Sequence, residues 1–191
     1  IDAMKDADVL ADNAVTVAYS YIGPVLTHPI YFDGSIGKAK QDLYKTADEI
    51  DEQVDGVKAY VSVNKAVVTQ SSAAIPIVPL YLSILLKVMK EKNLHEDCIQ
   101  QIYRLVHDRL CNPSGVPVDD MRLIRMDDYE MKPEVQQAVE KVWNEISQDN
   151  LAEVADIDEY WKEFYEIFGF KIAGVDYDAD CDIQVQIPSL S

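Results

Sequence analysis

The most reactive arrangement in the sequence is a tyrosine and a lysine with eight residues between them, Tyr31 and Lys40. A phenol beside a cation can act as an acid, because the positive charge stabilises the phenolate that remains. A cation about 4 Å away, at an effective dielectric near 20, contributes on the order of 4 kcal/mol, which lowers a phenol pKa by roughly three units. Such a pair suits the reduction of a carbonyl or an enoyl thioester, in which an oxygen gains negative charge.

The local sequence predicts how the two side chains meet. Residues 15–22 are apolar and β-prone, which indicates a strand buried on both faces of a parallel sheet. Asp33 or Ser35 is the expected N-cap of the next helix, which places Lys40 in its second turn. Because helical side chains lean toward the N-terminus, Lys40 should reach back to the loop that carries Tyr31. On spacing alone, a structural tyrosine and a solvated lysine are the more common explanation.

The first half of the chain alternates between helices and strands, which is typical of a parallel α/β sheet. A short helical end over 2–13, a helix over 35–55 and a second strand over 57–63 are predicted. An apolar core helix should begin with Pro79 at its first position. The apolar stripe of the 35–55 helix is Ile36, Ala39, Leu43, Ala47 and Ile50. An alternative role for the core helix is to line an acyl-chain channel with Ile77, Leu80, Tyr81 and Ile84.

The second half of the chain is predicted to be mostly helical. We therefore divide the whole chain into a catalytic part over 1–92, with strand-helix-strand-helix order, and a mostly helical part over 93–191. Helices are expected over 94–110, 133–147 and 158–168, and short strands over 122–126 and 169–175. The residues expected to face inward from the first and last of these helices are Ile99, Ile102, Val106, Leu110, Trp161, Phe164, Tyr165 and Phe168.

The composition excludes several classes of function. A net charge of −17 argues against nucleic acid and anionic membrane, since both would repel the protein. The apolar run over 73–89 contains prolines and is too short to span a bilayer. Three widely spaced cysteines indicate reduced thiols in the cytoplasm rather than a disulfide framework. The scattered histidines and the alternating aspartates after Val175 fit neither a zinc nor a calcium site, so no metal is expected.

Residues 19–40 closely resemble the signature of the FabV-type enoyl-[acyl-carrier-protein] reductases and the bacterial trans-2-enoyl-CoA reductases. The matching motifs are YSYIGP, then THPIY, then DGSIGKAK. Further similar stretches fall at 61–70, 73–76, 103–105 and 174–180. The resemblance extends over essentially the whole chain, but it covers only the C-terminal half of that family.

The resemblance implies NADH-dependent reduction of the trans-2 double bond of enoyl-CoA or enoyl-acyl-carrier-protein in fatty acid synthesis. Tyr31 would donate a proton or a hydrogen bond to the thioester oxygen. Lys40 would hold the nicotinamide ribose and keep Tyr31 acidic. Tyr21 matches the substrate-contacting tyrosine of the family.

The resemblance also implies NADH as the cofactor, bound by Lys40 and by the backbone of Val67, Val68 and Thr69. From the residues alone, the same stretch is a strand extension in which Thr69 or Ser71 caps the next helix. The seven glycines form no G-x-G-x-x-G turn for a pyrophosphate.

We therefore expect an α/β fold, the C-terminal part of a Rossmann-like parallel sheet with an added helical segment. The chain begins with Ile1, and the N-terminal half with the dinucleotide fingerprint is expected to be a missing partner without which this piece is inactive. Two alternatives stay open. One is a short-chain ketoreductase-like oxidoreductase, although those enzymes usually space tyrosine and lysine by three residues. The other is a non-catalytic acidic α/β interaction module.

Overall fold

Three parallel strands form the sheet that carries the candidate residues. The computed structural model describes residues 1–75 and 77–186. Within them β1 (Ala14–Ser20), β2 (Val57–Val63) and β3 (Leu123–Arg125) pair in the order β1-β2-β3. Because all three strands are parallel, their carboxyl ends lie at the same edge of the sheet.

Nine helices accompany this sheet in the described residues. They are α1 (Asp2–Asp6), α2 (His28–Tyr31), α3 (Ser35–Gln53), α4 (Gln70–Ala73), α5 (Val78–Glu91), α6 (Cys98–Arg104), α7 (Pro133–Glu145), α8 (Leu151–Val154) and α9 (Ile157–Glu166). A 3-10 turn over Val25–Thr27 precedes α2, and a π-helical turn over Leu105–Leu110 continues α6. Helices between parallel strands confirm the predicted α/β class. Pro76 and residues 187–191, from the predicted apolar run and the end of the acidic tail, lie outside the described residues.

The central strand β2 is buried on both faces at its carboxyl end. Ser62 and Val63 point to opposite faces, and each is 0% exposed. The predicted burial of the first strand on both faces is wrong, because β1 lies at the edge of the described sheet and leaves Val15 and Tyr19 more than half exposed. β-branched and aromatic residues favour a strand in either position, so composition alone does not separate an edge strand from a central one.

The helix α3 turns a different face toward the sheet from the one predicted. Ile36 and Ala39, expected inward, are exposed. Ala47 is buried in a cluster with Ala59 and Val61 of β2, as expected. The apolar stripe therefore describes the second half of α3, whereas the first two turns are oriented by a contact with α2.

That contact is a close approach of α3 to the end of α2 at Gly37. A Cβ atom at Gly37 would collide with the backbone carbonyl group of Phe32, so the two segments meet only because this position has no side chain. The N-cap of α3 is Gly34, without a side-chain hydrogen bond, and the predicted caps Asp33 and Ser35 are wrong. The close approach brings the second turn of α3 over α2.

The largest part of the core is built around α5, which confirms the prediction of a core helix. Its apolar side chains belong to one buried cluster with Val135 and Val139 of α7 and Tyr160 of α9. The helix begins at Val78, so Pro79 occupies its second position rather than its first. Proline is tolerated at both positions because the first N–H groups of a helix have no partner within it.

The helix predicted over 94–110 is shorter and turns a polar face inward. Its buried centre is Arg104, whose guanidinium donates to both carboxylate oxygens of Glu96, at 2.6 and 2.9 Å, and to the Met126 carbonyl oxygen at 3.0 Å. This charge network determines the rotation of α6. The predicted inward residues that the structure leaves exposed are Ile99, Ile102 and Val106.

The aromatic residues near the end of the chain are also more exposed than predicted. Trp161, Tyr165 and Phe168 are between 41% and 48% exposed, whereas their neighbour Tyr160 is buried. Residues 169–175 form turns and bends rather than the predicted strand. The first helix, α1, is likewise shorter than predicted.

Two further properties hold for residues 1–75 and 77–186. No helix there combines the length and the apolar character that a bilayer span needs. Their His, Cys, Asp and Glu side chains form no group of three or more that could hold a metal ion. The alternating aspartates after Val175 are exposed to solvent.

The close approach at Gly37 predicts a large effect of a single methyl group. Gly37→Ala should lower the free energy of unfolding by about 2–3 kcal/mol, because α3 must move away from Phe32. Urea unfolding followed by circular dichroism measures this change. Gly34→Ala is the matched control, since its Cβ would meet Pro29 at an ordinary 3.5 Å and lose at most about 1 kcal/mol of capping. Equal unfolding midpoints for the two variants would contradict the packing described.

Candidate active site

A cavity of about 330 Å³ opens beyond the carboxyl ends of β1 and β2. Its walls come from the loops that follow these strands and from the first turns of α3, α4 and α5. In open parallel sheets, ligands bind outside the carboxyl ends of the strands. The lining side chains that could take part in catalysis or hydrogen bonding are Tyr21, Tyr31, Lys40, Lys65, Thr69 and Tyr81.

Lys40 lies at the centre of this site. Its Nζ atom is 4.9 Å from the ring centroid of Tyr31 and 5.7 Å from that of Tyr21, and it donates a hydrogen bond to the Tyr21 carbonyl oxygen. The two tyrosine rings meet edge to face with their centroids 4.9 Å apart. The structure therefore brings together three residues that were predicted from sequence, and Lys40 reaches back as helix geometry requires.

The electrostatics of Tyr31 differ from the sequence-based expectation. Burial raises the pKa of the Tyr31 phenol, whereas the proximity of a lysine was expected to lower it. The reason is geometric: the Lys40 ammonium lies against the aromatic ring and is engaged by the Tyr21 carbonyl oxygen. Among the described residues, no side chain or backbone group forms a hydrogen bond with the Tyr31 hydroxyl. Tyr31 is thus a neutral phenol whose proton is available to a ligand.

Burial lowers the pKa of the Lys40 ammonium to about 8. Removing water from a cation favours its neutral form, and no carboxylate in the described part of the chain forms an ion pair with Lys40. Its contacts are a carbonyl oxygen and two aromatic faces, which stabilise a cation less than a carboxylate would. Lys40 is therefore charged at neutral pH and becomes neutral under mildly alkaline conditions.

The loop after β2 forms the opposite wall of the cavity. β2 ends at Val63, so the expected strand extension through residues 65–70 is wrong. Val67 and Thr69 line the cavity, whereas the side chain of Val68 is buried on the core side of the loop. Thr69, one of the two predicted caps, is the N-cap of α4 and exchanges hydrogen bonds of 2.9 and 3.0 Å with Ser72.

A buried carboxylate beside the cavity was missed by the sequence analysis. Glu130 is 0% exposed, and its Oε1 atom accepts hydrogen bonds from the hydroxyls of Tyr21 at 2.9 Å and Tyr81 at 2.6 Å. Its Oε2 atom accepts from the backbone N–H of Ala66 at 2.6 Å. The sequence signal that could have identified Glu130 is its position. It follows shortly after the third parallel strand, and ligands bind beyond the carboxyl ends of such strands.

Burial shifts the pKa values around this carboxylate toward the neutral forms. It raises the pKa of Glu130 and those of the Tyr21 and Tyr81 phenols, which also face the Glu130 charge. It lowers the pKa of Lys65, which is almost fully buried and donates to the Ala66 carbonyl oxygen at 2.9 Å. The neutral phenols can therefore serve as stable hydrogen-bond donors.

The predicted acyl-channel residues do not share one environment. Tyr81 lines the main cavity, whereas Ile84 is completely buried in the core. Ile77 borders a separate small pocket with Leu26 and Trp143. An acyl role for this group stays a prediction.

The fold and the cavity define an α/β protein with a ligand site at the ends of its parallel strands. The chain belongs to the trans-2-enoyl-CoA reductase family, since residues 1–111 match the model described as the trans-2-enoyl-CoA reductase catalytic region. This confirms the resemblance read from the YSYIGP and DGSIGKAK motifs. Residues 118–181 match a second model, described as an enoyl reductase FAD binding domain.

Relatives and solved structures agree with this assignment. The chain is 55% identical over 192 residues to a trans-2-enoyl-CoA reductase [NADH] of Ruminiclostridium cellulolyticum. It is 51% identical over 192 residues to an enoyl-[acyl-carrier-protein] reductase [NADH] of Flavobacterium johnsoniae. Each alignment covers 100% of this chain and 48% of the relative, so the chain spans about half the length of these proteins. The trans-2-enoyl-CoA reductase of Clostridium acetobutulicum, solved in complex with NAD, superposes with a TM-score of 0.88 at 46% identity, covering 95% of this chain and 48% of that one.

The cavity that the 118–181 match borders does not fit the pyrophosphate of a flavin. That cavity, beside Val67 and Val68, is lined by Glu163, Glu166 and the neighbouring Asp97. These carboxylates would repel the pyrophosphate of FAD, because charges of the same sign lose energy when they approach. We therefore assign no chemical step to a flavin.

The desolvation of Lys40 is directly measurable. In protein labelled with ¹³C at lysine Cε, the Lys40 signal should titrate with a midpoint of about 8, well below the ordinary lysine value. Its signal is assigned by its disappearance in Lys40→Arg. The Lys45 side chain, which is 75% exposed, is the internal reference for a lysine in solvent. A Lys40 midpoint equal to that of Lys45 would contradict the buried geometry.

Proposed function

We propose that this chain is the C-terminal part of an NADH-dependent reductase of trans-2-enoyl thioesters, carried on CoA or on acyl carrier protein. The observation that carries the proposal is the convergence of Tyr21, Tyr31 and Lys40 in one cavity with the Val67–Thr69 segment. The relatives that bear such names supply the substrate class and the cofactor. The family spacing, with eight residues between Tyr31 and Lys40, is retained.

The nicotinamide ribose end of NADH would be held by Lys40 and by Val67, Val68 and Thr69. The cavity fits such a group, since an ammonium faces an irregular loop backbone across it. Val68 would contribute through its backbone, because its side chain is buried in the core. When bound, the reduced nicotinamide supplies a hydride for the β-carbon of the substrate. The rest of the dinucleotide would be bound by protein outside residues 1–191.

Tyr31 would stabilise the charge that develops on the substrate. When the β-carbon of an enoyl thioester gains hydride, negative charge collects on the thioester oxygen as an enolate. A hydrogen-bond donor already aimed at that oxygen lowers the barrier, and a positioned acid can then supply the proton. The raised pKa of Tyr31 keeps its phenol protonated at neutral pH, which is the state that this role requires.

Lys40 would act through charge and through position. Its ammonium carries a positive charge beside the rings of Tyr21 and Tyr31, where it would attract the developing enolate. Its hydrogen bond to the Tyr21 carbonyl oxygen ties α3 to the loop after β1. Tyr21 would contact the substrate from that loop.

Replacing the Tyr31 hydroxyl should remove the acid. In the full-length gene product, Tyr31→Phe should lower the rate of crotonyl-CoA-dependent NADH oxidation by about a hundredfold or more, the usual contribution of a general acid. Absorbance at 340 nm follows the reaction. Tyr103→Phe, which removes an exposed hydroxyl on α6, is the matched control and should retain the wild-type rate.

The same assay separates the proposal from its rivals. A wild type that reduces β-ketoacyl thioesters but not enoyl thioesters would indicate a ketoreductase. A wild type that is inert with enoyl thioesters of every length would refute the reductase function and favour an interaction module. Normal turnover by Tyr31→Phe would remove Tyr31 from the mechanism.

The lowered pKa of Lys40 predicts an alkaline limit of activity. The cation is present below its pKa of about 8 and is lost above it, so kcat/KM should fall as the pH rises through this value. Lys40→Arg should move this fall upward by more than one pH unit, whatever its absolute rate, because arginine stays protonated. A pH–rate profile from pH 6 to 10 measures the alkaline fall of kcat/KM in the wild type and in Lys40→Arg. An unchanged midpoint in Lys40→Arg would assign the alkaline limb to another group.

A further inference from the structure

Glu130 is a buried carboxylate that forms no ion pair within the described residues, and its contacts link the parts of the cavity. Lys65, the nearest candidate cation, donates to the Ala66 carbonyl oxygen instead. The donors to Glu130 are two phenols and one backbone N–H. Removing a carboxylate from water is unfavourable, and an apolar residue of the same volume would often give a more stable fold. The presence of Glu130 is therefore best explained by the groups that it holds in place.

The three donors come from three separate walls of the site. Tyr21 lies in the loop after β1, Ala66 in the loop after β2, and Tyr81 on α5. One carboxylate thus joins the loop of the proposed substrate contact to the loop proposed for the nicotinamide. The distance between these two loops determines how the reacting carbon faces the hydride donor, and a misplacement of about 1 Å can cost about a hundredfold in rate.

The segment that carries Glu130 is itself firmly anchored. Asp127 binds Arg125 at 2.6 Å, and Asp128 binds Arg104 at 2.9 Å. The Glu130 carbonyl oxygen accepts a hydrogen bond of 2.7 Å from the Gln136 side chain on α7. A carboxylate fixed through its own backbone and through the two preceding aspartates can impose its position on flexible loops.

We propose that Glu130 is a positioning residue, which fixes the distance between the Tyr21 hydroxyl and the Ala66–Val67 backbone across the active site. The inference rests on the proposed reductase function. It also assigns the proton of Tyr21, which points to Glu130 and not to a ligand. Tyr31, whose hydroxyl is free within the described residues, is then the phenol that donates to substrate.

A double-mutant cycle in the full-length enzyme tests the proposal through the coupling between Glu130 and Tyr21. Glu130→Gln keeps the volume, but its amide N–H₂ must face either the Ala66 N–H, which cannot accept, or the tyrosine hydroxyls, which would then have to accept instead of donate. It should lower kcat by about ten- to a hundredfold, with a smaller change in the KM for NADH. Added to Tyr21→Phe, the same substitution should cost several-fold less than it does alone, because the contact between the two side chains is already lost.

The control and the opposing outcomes are defined by the fold. Glu159→Gln removes another well-bonded carboxylate, paired with Lys90 at 2.7 Å between α5 and α9, and should leave kcat unchanged. If the losses from Glu130→Gln and Tyr21→Phe multiply, or if Glu130→Gln lowers only the melting temperature, the positioning role is refuted. If Glu130→Gln does not fold, Glu130→Asp replaces it, because the shorter side chain keeps the charge but withdraws from Tyr21.

A spectroscopic measurement separates this inference from the reductase function. With ¹³C at tyrosine Cζ, Glu130→Gln should shift the Tyr21 and Tyr81 signals and leave that of the exposed Tyr103 in place. This readout requires no turnover. If the wild type is inactive but these shifts occur, the proposed function fails while the contact stands, and Glu130 then positions a site of other chemistry. Unshifted tyrosine signals would refute the inference even in an active enzyme.

Discussion

The site depends on a single constraint, the desolvated ammonium of Lys40 beside two tyrosine rings. In a protein with net charge −17, a cation would ordinarily be neutralised by a carboxylate. Lys40 is instead bound by a carbonyl oxygen and aromatic faces, which leave its charge available to an anionic ligand. The position of this charge follows from Gly37, since the close approach at that residue places the second turn of α3 over the end of α2.

Polar groups at the strand ends are organised by neutral hydrogen bonds, whereas ion pairs lie one layer further out. Glu130 is satisfied by phenols and a backbone N–H. Behind it, Arg104 joins α6 to the segment after β3 through Glu96 and Asp128. Neutral donors hold geometry without adding charge to the cavity, while the outer ion pairs give rigidity. These supports therefore leave the ammonium of Lys40 available to a ligand in the cavity.

The parts of the fold that local patterns determine were predictable, and those that depend on tertiary partners were not. The strand over residues 57–63, the core helix around Pro79 and the meeting of Tyr31 with Lys40 follow from alternation, proline position and helix geometry. Burial of β1 depends on its neighbours in the sheet, which composition does not reveal. The rotation of α6 was missed because the buried Arg104 network outweighs an apolar stripe. Glu130 was missed because acidic residues before a helix usually face solvent.

The order in which the two central groups titrate follows from where the ammonium lies. An ammonium beside the phenol oxygen would make Tyr31 the more acidic partner and would bring its phenolate into the physiological range. In this geometry the cation faces the ring, so burial dominates both groups and moves their pKa values past each other and apart, upward for Tyr31 and down to about 8 for Lys40. The lysine then loses its proton before the tyrosine does. A neutral donor and a fixed cation coexist at neutral pH, which is the combination that an enolate-forming reduction needs.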